Sequence, residues 1–197
     1  MIVGYHLTIG AYGFWLPNDP RGSWSSFVGA YELYLAAGRA IKTDERRSLA
    51  RNVHDRDLRR AGKQNLQREP LKFNGIQARA IARGFERYFA RTRREVWACA
   101  IMPDHVHLVV GRSRISIEQL SIQLKAAGTR QMTLEGCHPC GSAPDARGRF
   151  PKCFVRGEWS VFLEEDAVDR TIQYVKNNPI RQGYKRQKWS FVRPRSL

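Results

Sequence analysis

Residues 95–111 read EVWACAIMPDHVHLVVG, and this stretch decides the fold. Two apolar runs of strand length flank Pro103 and Asp104, a pair that is typical of a tight turn, so the sequence predicts a β-hairpin. Successive side chains of a strand point to opposite faces, which puts His105 and His107 on one face, about 7 Å apart along the chain. The opposite face carries the apolar side chains of Val106, Leu108 and Val110.

The two imidazoles have two interpretations at this point. Rotation of the side chains could bring both rings onto one metal ion, since imidazole nitrogens bind divalent metals. A surface strand whose outward positions happen to be histidine would read the same way, and for an isolated His-x-His pair this plainer interpretation is the more common one. The rest of the chain has to decide between them.

The charge balance of the chain indicates a class of partner. A chain of 197 residues is long enough to form one well-packed core and short for two. Its hydrophobic share of 42% is ordinary for a globular protein. Lys and Arg total 34 against 18 Asp and Glu, which gives a formal net charge of +16 and a pI near 10.4. Such an excess favours a polyanionic partner, usually nucleic acid, because each neutralised phosphate releases counterions. Charge thus predicts nucleic-acid binding without specifying a reaction.

No membrane association is expected from the sequence. It has no run of 18 apolar residues, and its first residues, MIVGYHLTIGAYGF, lack the basic region and cleavage site of a signal peptide. We therefore expect a cytoplasmic protein with reduced cysteines, associated with the nucleoid if the source is a prokaryote.

Three of the four cysteines lie in a loop rich in Cys, Gly and Pro, at about residues 135–157. They are Cys137, Cys140 and Cys153. Together with His138 they could hold a structural zinc ion. A complete zinc signature has a second pair of ligands, which this loop lacks, so free thiols are the favoured interpretation and structural zinc is the alternative.

The remaining patterns give the order of elements around the hairpin. Periodicity marks a strand at 2–10, helices at about 74–92 and 116–134, a short strand at about 158–163 and a helix from about 164. Ser116 is the predicted N-cap of the second helix. The order predicts an α+β fold: an antiparallel sheet with helices packed on one face, in the split β-α-β arrangement of ferredoxin-like and RRM-like domains.

We predict a single domain over residues 1–197 with three local additions. These are a charged, solvated insertion at about 42–69, the Cys/Gly/Pro loop at about 135–157 and a basic aromatic tail from about 184.

The last helix carries a tyrosine beside its apolar stripe. The stripe consists of Val168, Ile172 and Val175. Tyr174 lies off this stripe, in one row with Arg170 and Asn178, which are four residues before and after it. The helix is expected to end at Asn178, because the following proline disfavours helical torsions there. The residues alone leave open whether Tyr174 is a surface residue or part of a site.

Three stretches together resemble the single-tyrosine HUH transposases, and most closely the REP-associated tyrosine transposases. They are MPDHVHLVV at 102–110, YVKNNPIRQG at 174–183 and YHLTIGAYGFWLPNDPRGSW at 5–24. Members of the family have a His-hydrophobe-His strand and a helix with the pattern Y-x-x-x-N-P-hydrophobe-R-x-G. This chain matches the helix pattern at Tyr174, Asn178, Pro179, Ile180, Arg181 and Gly183. Both motifs in this order make the resemblance specific.

The resemblance implies a metal-dependent single-stranded DNA endonuclease and strand transferase. It implies that His105 and His107 bind a divalent cation, Mg²⁺ or Mn²⁺, with the side-chain oxygen of Asn178 as a third ligand. Tyr174 would be the nucleophile, forming a 5′-phosphotyrosine link and freeing a 3′-hydroxyl on single-stranded DNA at the foot of a hairpin formed by a repeat. The oligomeric state is left open between monomer and homodimer.

Cationic and aromatic side chains that could hold a DNA strand are spread along the chain. The candidates are Arg170, Lys176, Arg181, Lys125, Arg130, Lys185, Arg186, Trp189, Arg21 and Trp15. Arg170 and Lys176 are also the candidate cations for stabilising a tyrosine phenolate. Asp104 is expected to form the turn, and His6 and His54 are expected to be structural or surface residues.

A non-catalytic nucleic-acid-binding module is the alternative function. The same sheet could bind repeat DNA or RNA hairpins without turnover, as RNA-recognition domains do. The chain lacks the aromatic consensus of such domains, and it has no Gly-rich phosphate loop or pair of catalytic carboxylates that would indicate another chemistry.

Overall fold

A computed structural model gives the fold of the chain. It describes residues 1–14, 16, 19, 28, 31–40, 53, 55–141 and 144–195. The helices and strands in order are β1 (Ile2–Gly10), α1 (Tyr31–Ala37), α2 (Arg56–Gln64), α3 (Gly75–Thr92), β2 (Val96–Ile101), β3 (His105–Gly111), α4 (Ile117–Leu134), β4 (Trp159–Glu164) and α5 (Glu165–Arg181). The described residues divide into two compact units, one made of Met1–Ala11 and the chain from Lys72 onward, the other within Tyr12–Leu71. No helix in the described ranges is long and apolar enough to cross a membrane.

The larger unit is built on a four-stranded sheet in the order β2-β3-β1-β4, and each neighbouring pair is antiparallel. The connection from β1 through α3 to β2, followed by β3, α4 and β4, is the predicted split β-α-β arrangement, which is confirmed. The predicted hairpin is β2 and β3. The backbone N–H of Met102 donates to the carbonyl of His105 at 2.8 Å across its turn.

Capping side chains explain where the two helices between the strands begin. The Asn74 side chain accepts from the backbone N–H of Ile76 and of Gln77, both at 3.0 Å, and the Gln77 side chain accepts in return from the Asn74 N–H. The Ser116 hydroxyl accepts from the Gln119 N–H at 3.2 Å, which confirms Ser116 as the N-cap of α4. Caps of this kind can be recognised in a sequence because the capping residue and its partner are only three positions apart.

Both faces of the sheet are covered by helices, so the expectation that all helices lie on one face is wrong. α3 and α4 pack on each other and contact β1 and β2, over a face that buries Leu7, Ile9, Val106 and Leu108 completely. α5 packs on the opposite face, where its apolar stripe meets Ala98, Ala100 and Val109. The physical reason is that the second face is also apolar outside the two histidines, and a helix stripe must be buried somewhere.

α5 continues through Pro179 to Arg181, so the predicted end at Asn178 is wrong. Proline here removes one backbone donor in the last turn of the helix, and its ring is buried. The Pro179 carbonyl accepts from the backbone N–H of Gln182 at 3.1 Å and of Tyr184 at 2.9 Å, which closes the helix end. The added turn changes which side chains lie near Tyr174.

The tail after α5 lies along the edge strand β2. The Gln187 side chain bonds both backbone groups of Ile101, accepting from its N–H and donating to its carbonyl at 2.8 Å each. The Arg193 N–H donates to the Val96 carbonyl at 2.9 Å, and the Phe191 ring packs against two aromatic rings of α3. The tail therefore protects an otherwise open sheet edge.

The smaller unit contains α1 and α2, which pack against each other. Asp55 caps α2 by accepting from the backbone N–H of Asp57 at 3.0 Å and of Leu58 at 2.9 Å. Only Gly62 is buried in α2, so this part of the charged segment is a solvated helix. Three residues named from the sequence lie outside the described ranges: Trp15, Arg21 and His54.

Candidate active site

The strand pairing brings the two predicted histidines next to side chains of β1. Thr8 pairs with His107 and Gly10 with His105 in the β1–β3 register. Paired residues of antiparallel strands project to the same side, so His6 and Thr8 share the face of the two histidines. This is the face that α5 covers.

His105 is oriented by the residue before it. Its Nδ1 lies 2.6 Å from the Asp104 carboxylate, and only 7% of the residue is exposed. A carboxylate accepts hydrogen bonds, so Nδ1 carries the proton and the lone pair of the neutral ring is on Nε2. Asp104 therefore forms the turn, as expected, and also fixes the orientation of His105, which the sequence reasoning missed.

His107 has two partners at the same ring nitrogen. Its Nδ1 lies 3.0 Å from the Thr8 hydroxyl oxygen and 3.1 Å from Nε2 of His6. The His107 residue is 7% exposed, and its ring centroid lies 4.5 Å from that of His105. The interpretation of His6 as a lone structural or surface histidine is wrong, because its ring is part of this cluster.

His6 is neutral at neutral pH. Burial, with a smaller contribution from the charge of His105, lowers its pKa from 6.5 to about 4. A charged third imidazole would repel a cation at the other two rings, and the neutral form avoids this repulsion.

Tyr174 faces the histidines. Its ring centroid lies 5.6 Å from that of His107 and 5.9 Å from that of His6, both in edge-to-face geometry. The tyrosine remains 37% exposed, so one side of the phenol is open to solvent. The two motifs, which are far apart in the sequence, therefore meet in the fold.

Arg181 is the cation that lies against the tyrosine ring. Its guanidinium carbon is 5.8 Å from the Tyr174 ring centroid. Arg170 instead forms an exposed ion pair with Asp166, at 3.8 Å. A shallow depression of about 410 Å³ runs past the phenol, lined by Asp169, Arg170, Gln173, Tyr174, Asn177 and Arg181. Of the predicted DNA-binding residues, Arg170 and Arg181 are thus brought beside the tyrosine.

Asn178 lies one helical turn after Tyr174 and is 7% exposed. Its side-chain oxygen accepts a hydrogen bond from the Gln182 amide at 3.2 Å. An amide oxygen has two lone pairs, so this bond leaves one for a cation.

The donor set of the cluster fits a divalent cation. Both β3 histidines have Nδ1 engaged by a second residue, which is how metal-ligating histidines are usually held. Two neutral imidazoles favour Mn²⁺ over Mg²⁺ by ligand softness, and the amide oxygen suits either ion. Within the described ranges, no group of three His, Cys, Asp or Glu side chains is arranged to hold a metal. The expected ligand set reaches three only when the amide of Asn178 is counted.

The Cys/Gly/Pro loop is organised around a buried histidine. His138 Nδ1 accepts from the Cys140 backbone N–H at 3.2 Å, so the neutral ring carries its proton on Nε2, which lies 3.1 Å from the Cys153 sulfur. A zinc-ligating histidine instead donates its second N–H to a neighbour. This geometry does not favour the zinc interpretation, which stays a prediction.

Lys125 is engaged within the fold. Its ammonium donates to the carbonyls of Arg156 and Gly157 at 3.0 and 2.8 Å and lies 3.2 Å from the Glu158 carboxylate. Burial lowers the pKa of this ammonium. Lys125 therefore holds the segment before β4 in place rather than offering a free charge to DNA.

The other candidate DNA contacts are distributed over both sides of the sheet. Arg130 is exposed on α4, which packs on the face opposite Tyr174. Lys176 on α5 and Lys185 and Arg186 in the tail are also exposed, whereas Trp189 is partly buried. The cations that the structure places beside the tyrosine, Arg170 and Arg181, are both on α5.

No protein-family model matches the chain, and the comparison with curated proteins found no match. Among solved structures, it is similar to a REP-associated tyrosine transposase bound to a REP hairpin, with a TM-score of 0.47 and 10% identity over 96% of this chain and 74% of that one. It is also similar to a predicted transposase from Deinococcus radiodurans R1, with a TM-score of 0.42 and 14% identity over 90% of this chain and 91% of that one. Both likenesses are distant, with TM-scores below 0.5.

Proposed function

We propose that the chain is a metal-dependent single-stranded DNA endonuclease and strand transferase of the HUH transposase type, with Tyr174 as its nucleophile. The observation that carries the proposal is the edge-to-face contact of the Tyr174 ring with His107 at 5.6 Å between centroids. A phenol that contacts one of the two expected metal-binding histidines, and is still open to solvent on one side, suits attack on a phosphate bound beside it.

The proposed step exchanges one phosphate ester for another. The Tyr174 oxygen forms a bond to the phosphorus of the scissile phosphodiester, and the bond from phosphorus to the 3′ oxygen breaks. The phenol loses a proton and the departing 3′ oxygen gains one, so the products are a 5′-phosphotyrosine and a free 3′-hydroxyl. Because the link conserves the ester bond, another 3′-hydroxyl can attack it and join two strands without ATP.

The cation would be held by His105, His107 and the Asn178 oxygen. When bound, it would supply charge neutralisation at a non-bridging oxygen of the scissile phosphate. Asp104 and Thr8 keep the two imidazoles in one orientation through the contacts at 2.6 and 3.0 Å. Orientation in advance lowers the reorganisation that binding would otherwise need.

Arg181 replaces Arg170 and Lys176 as the cation proposed to act beside the nucleophile. Its guanidinium carbon lies 5.8 Å from the Tyr174 ring centroid, whereas Arg170 is paired with Asp166. A guanidinium in this position is suited to bind an oxygen of the phosphate that the tyrosine attacks.

The proposed substrate is single-stranded DNA with a hairpin formed by a repeat. The net charge of +16 supports a polyanionic substrate. The depression beside Tyr174 carries both arginine side chains and the phenol, so a strand could lie there with its backbone next to the nucleophile.

The test is covalent capture of DNA. A labelled hairpin with unpaired flanking bases is mixed with the protein and Mg²⁺ or Mn²⁺, and the products are separated in detergent. The wild type should give a covalent adduct, Tyr174→Phe should give none, and Tyr184→Phe should behave as the wild type, since Tyr184 is an exposed tyrosine in the tail. An adduct with the Tyr174 variant would contradict the assignment, and hairpin binding without an adduct for any metal would favour the non-catalytic module.

A further inference from the structure

His6 lies between the two halves of the proposed site. Its Nε2 is 3.1 Å from Nδ1 of His107, and its ring meets the Tyr174 ring edge-on at 5.9 Å between centroids. The same His6 ring lies 5.0 Å from the His107 ring.

We propose that His6 is a positioning residue for the cation, and this inference rests on the proposed function. A neutral imidazole has one nitrogen with a proton and one with a lone pair. His107 can present its Nε2 lone pair to a cation only while its proton is on Nδ1. The Nε2 atom of His6 accepts that proton in a hydrogen bond, and so holds His107 in the form that binds metal.

Thr8 alone would hold this form less firmly. A hydroxyl rotates and both donates and accepts, so the Thr8 contact at 3.0 Å is compatible with either form of His107. Asp104 has no such ambiguity at His105, because a carboxylate only accepts. His6 therefore serves at the second histidine the purpose that Asp104 serves at the first. Outer partners of this kind typically change metal affinity 10- to 100-fold when removed.

Two substitutions at His6 separate the acceptor from the ring. His6→Phe keeps an aromatic ring beside Tyr174 but removes the acceptor nitrogen. His6→Gln removes the ring but puts an amide oxygen near the position of Nε2. Comparison of thermal unfolding of both variants with the wild type shows that each is folded before binding is measured.

The first measurement is Mn²⁺ binding to the protein without DNA, followed by the loss of the free-ion signal in electron paramagnetic resonance. His6→Phe should bind Mn²⁺ at least about 10-fold more weakly than the wild type, and His6→Gln should stay within about 3-fold. Equal affinity for wild type and His6→Phe would overturn the proposal. An equal loss in both variants would also overturn it, because the ring rather than the acceptor would then matter.

Nitrogen chemical shifts of the His107 ring give a second readout that does not depend on metal or activity. The wild type should show the proton on Nδ1, and His6→Phe should show a mixture of the two neutral forms. Hairpin cleavage in limiting Mn²⁺ should fall with affinity and recover at saturation. If the wild type cleaves and binds Mn²⁺ while His6→Phe does the same, only this inference fails; if the wild type does neither, the proposed function fails first.

Discussion

The burial of His6 makes the stability of the metal-free protein depend on pH. As the pH falls through 6.5, the unfolded chain takes up a proton at His6, whereas the folded protein does not until about pH 4. The free energy of unfolding therefore decreases as the pH falls from 6.5 to about 4. The stabilisation that comes from a neutral His6 is fully present only above pH 6.5. For a pKa of 6.5 unfolded and about 4 folded, the decrease from pH 8 to pH 5 is about 2 kcal/mol, and its limit at lower pH is about 3 kcal/mol.

Urea unfolding in the presence of a chelator measures this effect. The wild type is compared with His6→Gln at pH 8 and at pH 5, because glutamine does not titrate while the other histidines remain in both proteins. The difference in unfolding free energy between the two proteins should shift by about 2 kcal/mol between the two pH values, to the disadvantage of the wild type at pH 5. An unchanged difference would mean that His6 titrates as in water, and the pKa reasoning would be refuted.

Three further outcomes are expected from single substitutions. Gly84→Ala should lower the free energy of unfolding by about 1–3 kcal/mol, because the added Cβ would lie 2.5 Å from the Ala127 carbonyl oxygen. Gly75→Ala is the control, since a Cβ added there would lie 3.8 Å from its nearest neighbour, a side-chain nitrogen of Arg79. A Gly84→Ala variant at least as stable as the wild type would contradict the close packing. Gln187→Ala should cost about 1–2 kcal/mol in the same assay by freeing both backbone groups of Ile101, whereas Lys188→Ala should leave unfolding unchanged. Lys125→Met should lower the melting temperature but leave hairpin affinity, measured by fluorescence anisotropy, close to that of the wild type. Arg181→Gln should weaken hairpin binding but leave the melting temperature nearly unchanged. Weaker binding with an unchanged melting temperature for Lys125→Met would make Lys125 a DNA contact.

Most of the larger unit could be predicted from local sequence patterns. Apolar, β-branched stretches mark β1, β2 and β3 within a residue or two, and the Ser116 cap marks the start of α4. The face on which α5 packs could not be predicted, because both faces of the sheet offer apolar side chains and local periodicity does not choose between them. The choice depends on contacts between residues far apart in the chain, such as Val109 with the α5 stripe.

The ligands and nucleophile of the candidate site were named from motifs, but their supporting residues were not. Thr8 and His6 reach His107 across 99 and 101 residues of sequence, so their role depends on the β1–β3 register. A signal was present: His6 and Thr8 are two residues apart in a strand whose Leu7 and Ile9 face the core.

Arg181 was missed as the cation beside the tyrosine because the helix was expected to stop at Asn178. Residues seven apart share a helix row after two turns. Arg181 therefore lies on the Tyr174 row only if the helix passes through Pro179, which it does.

Mass-spectrometric mapping of the DNA adduct shows directly whether Tyr174 is the nucleophile. The protein is incubated with a hairpin substrate and Mn²⁺, then digested with protease and nuclease, and the peptide that retains a nucleotide is sequenced. We expect a single modified peptide from α5, with the 5′-phosphate on Tyr174. A nucleotide on any other residue, or a cleaved strand with no protein-bound phosphate, would contradict it.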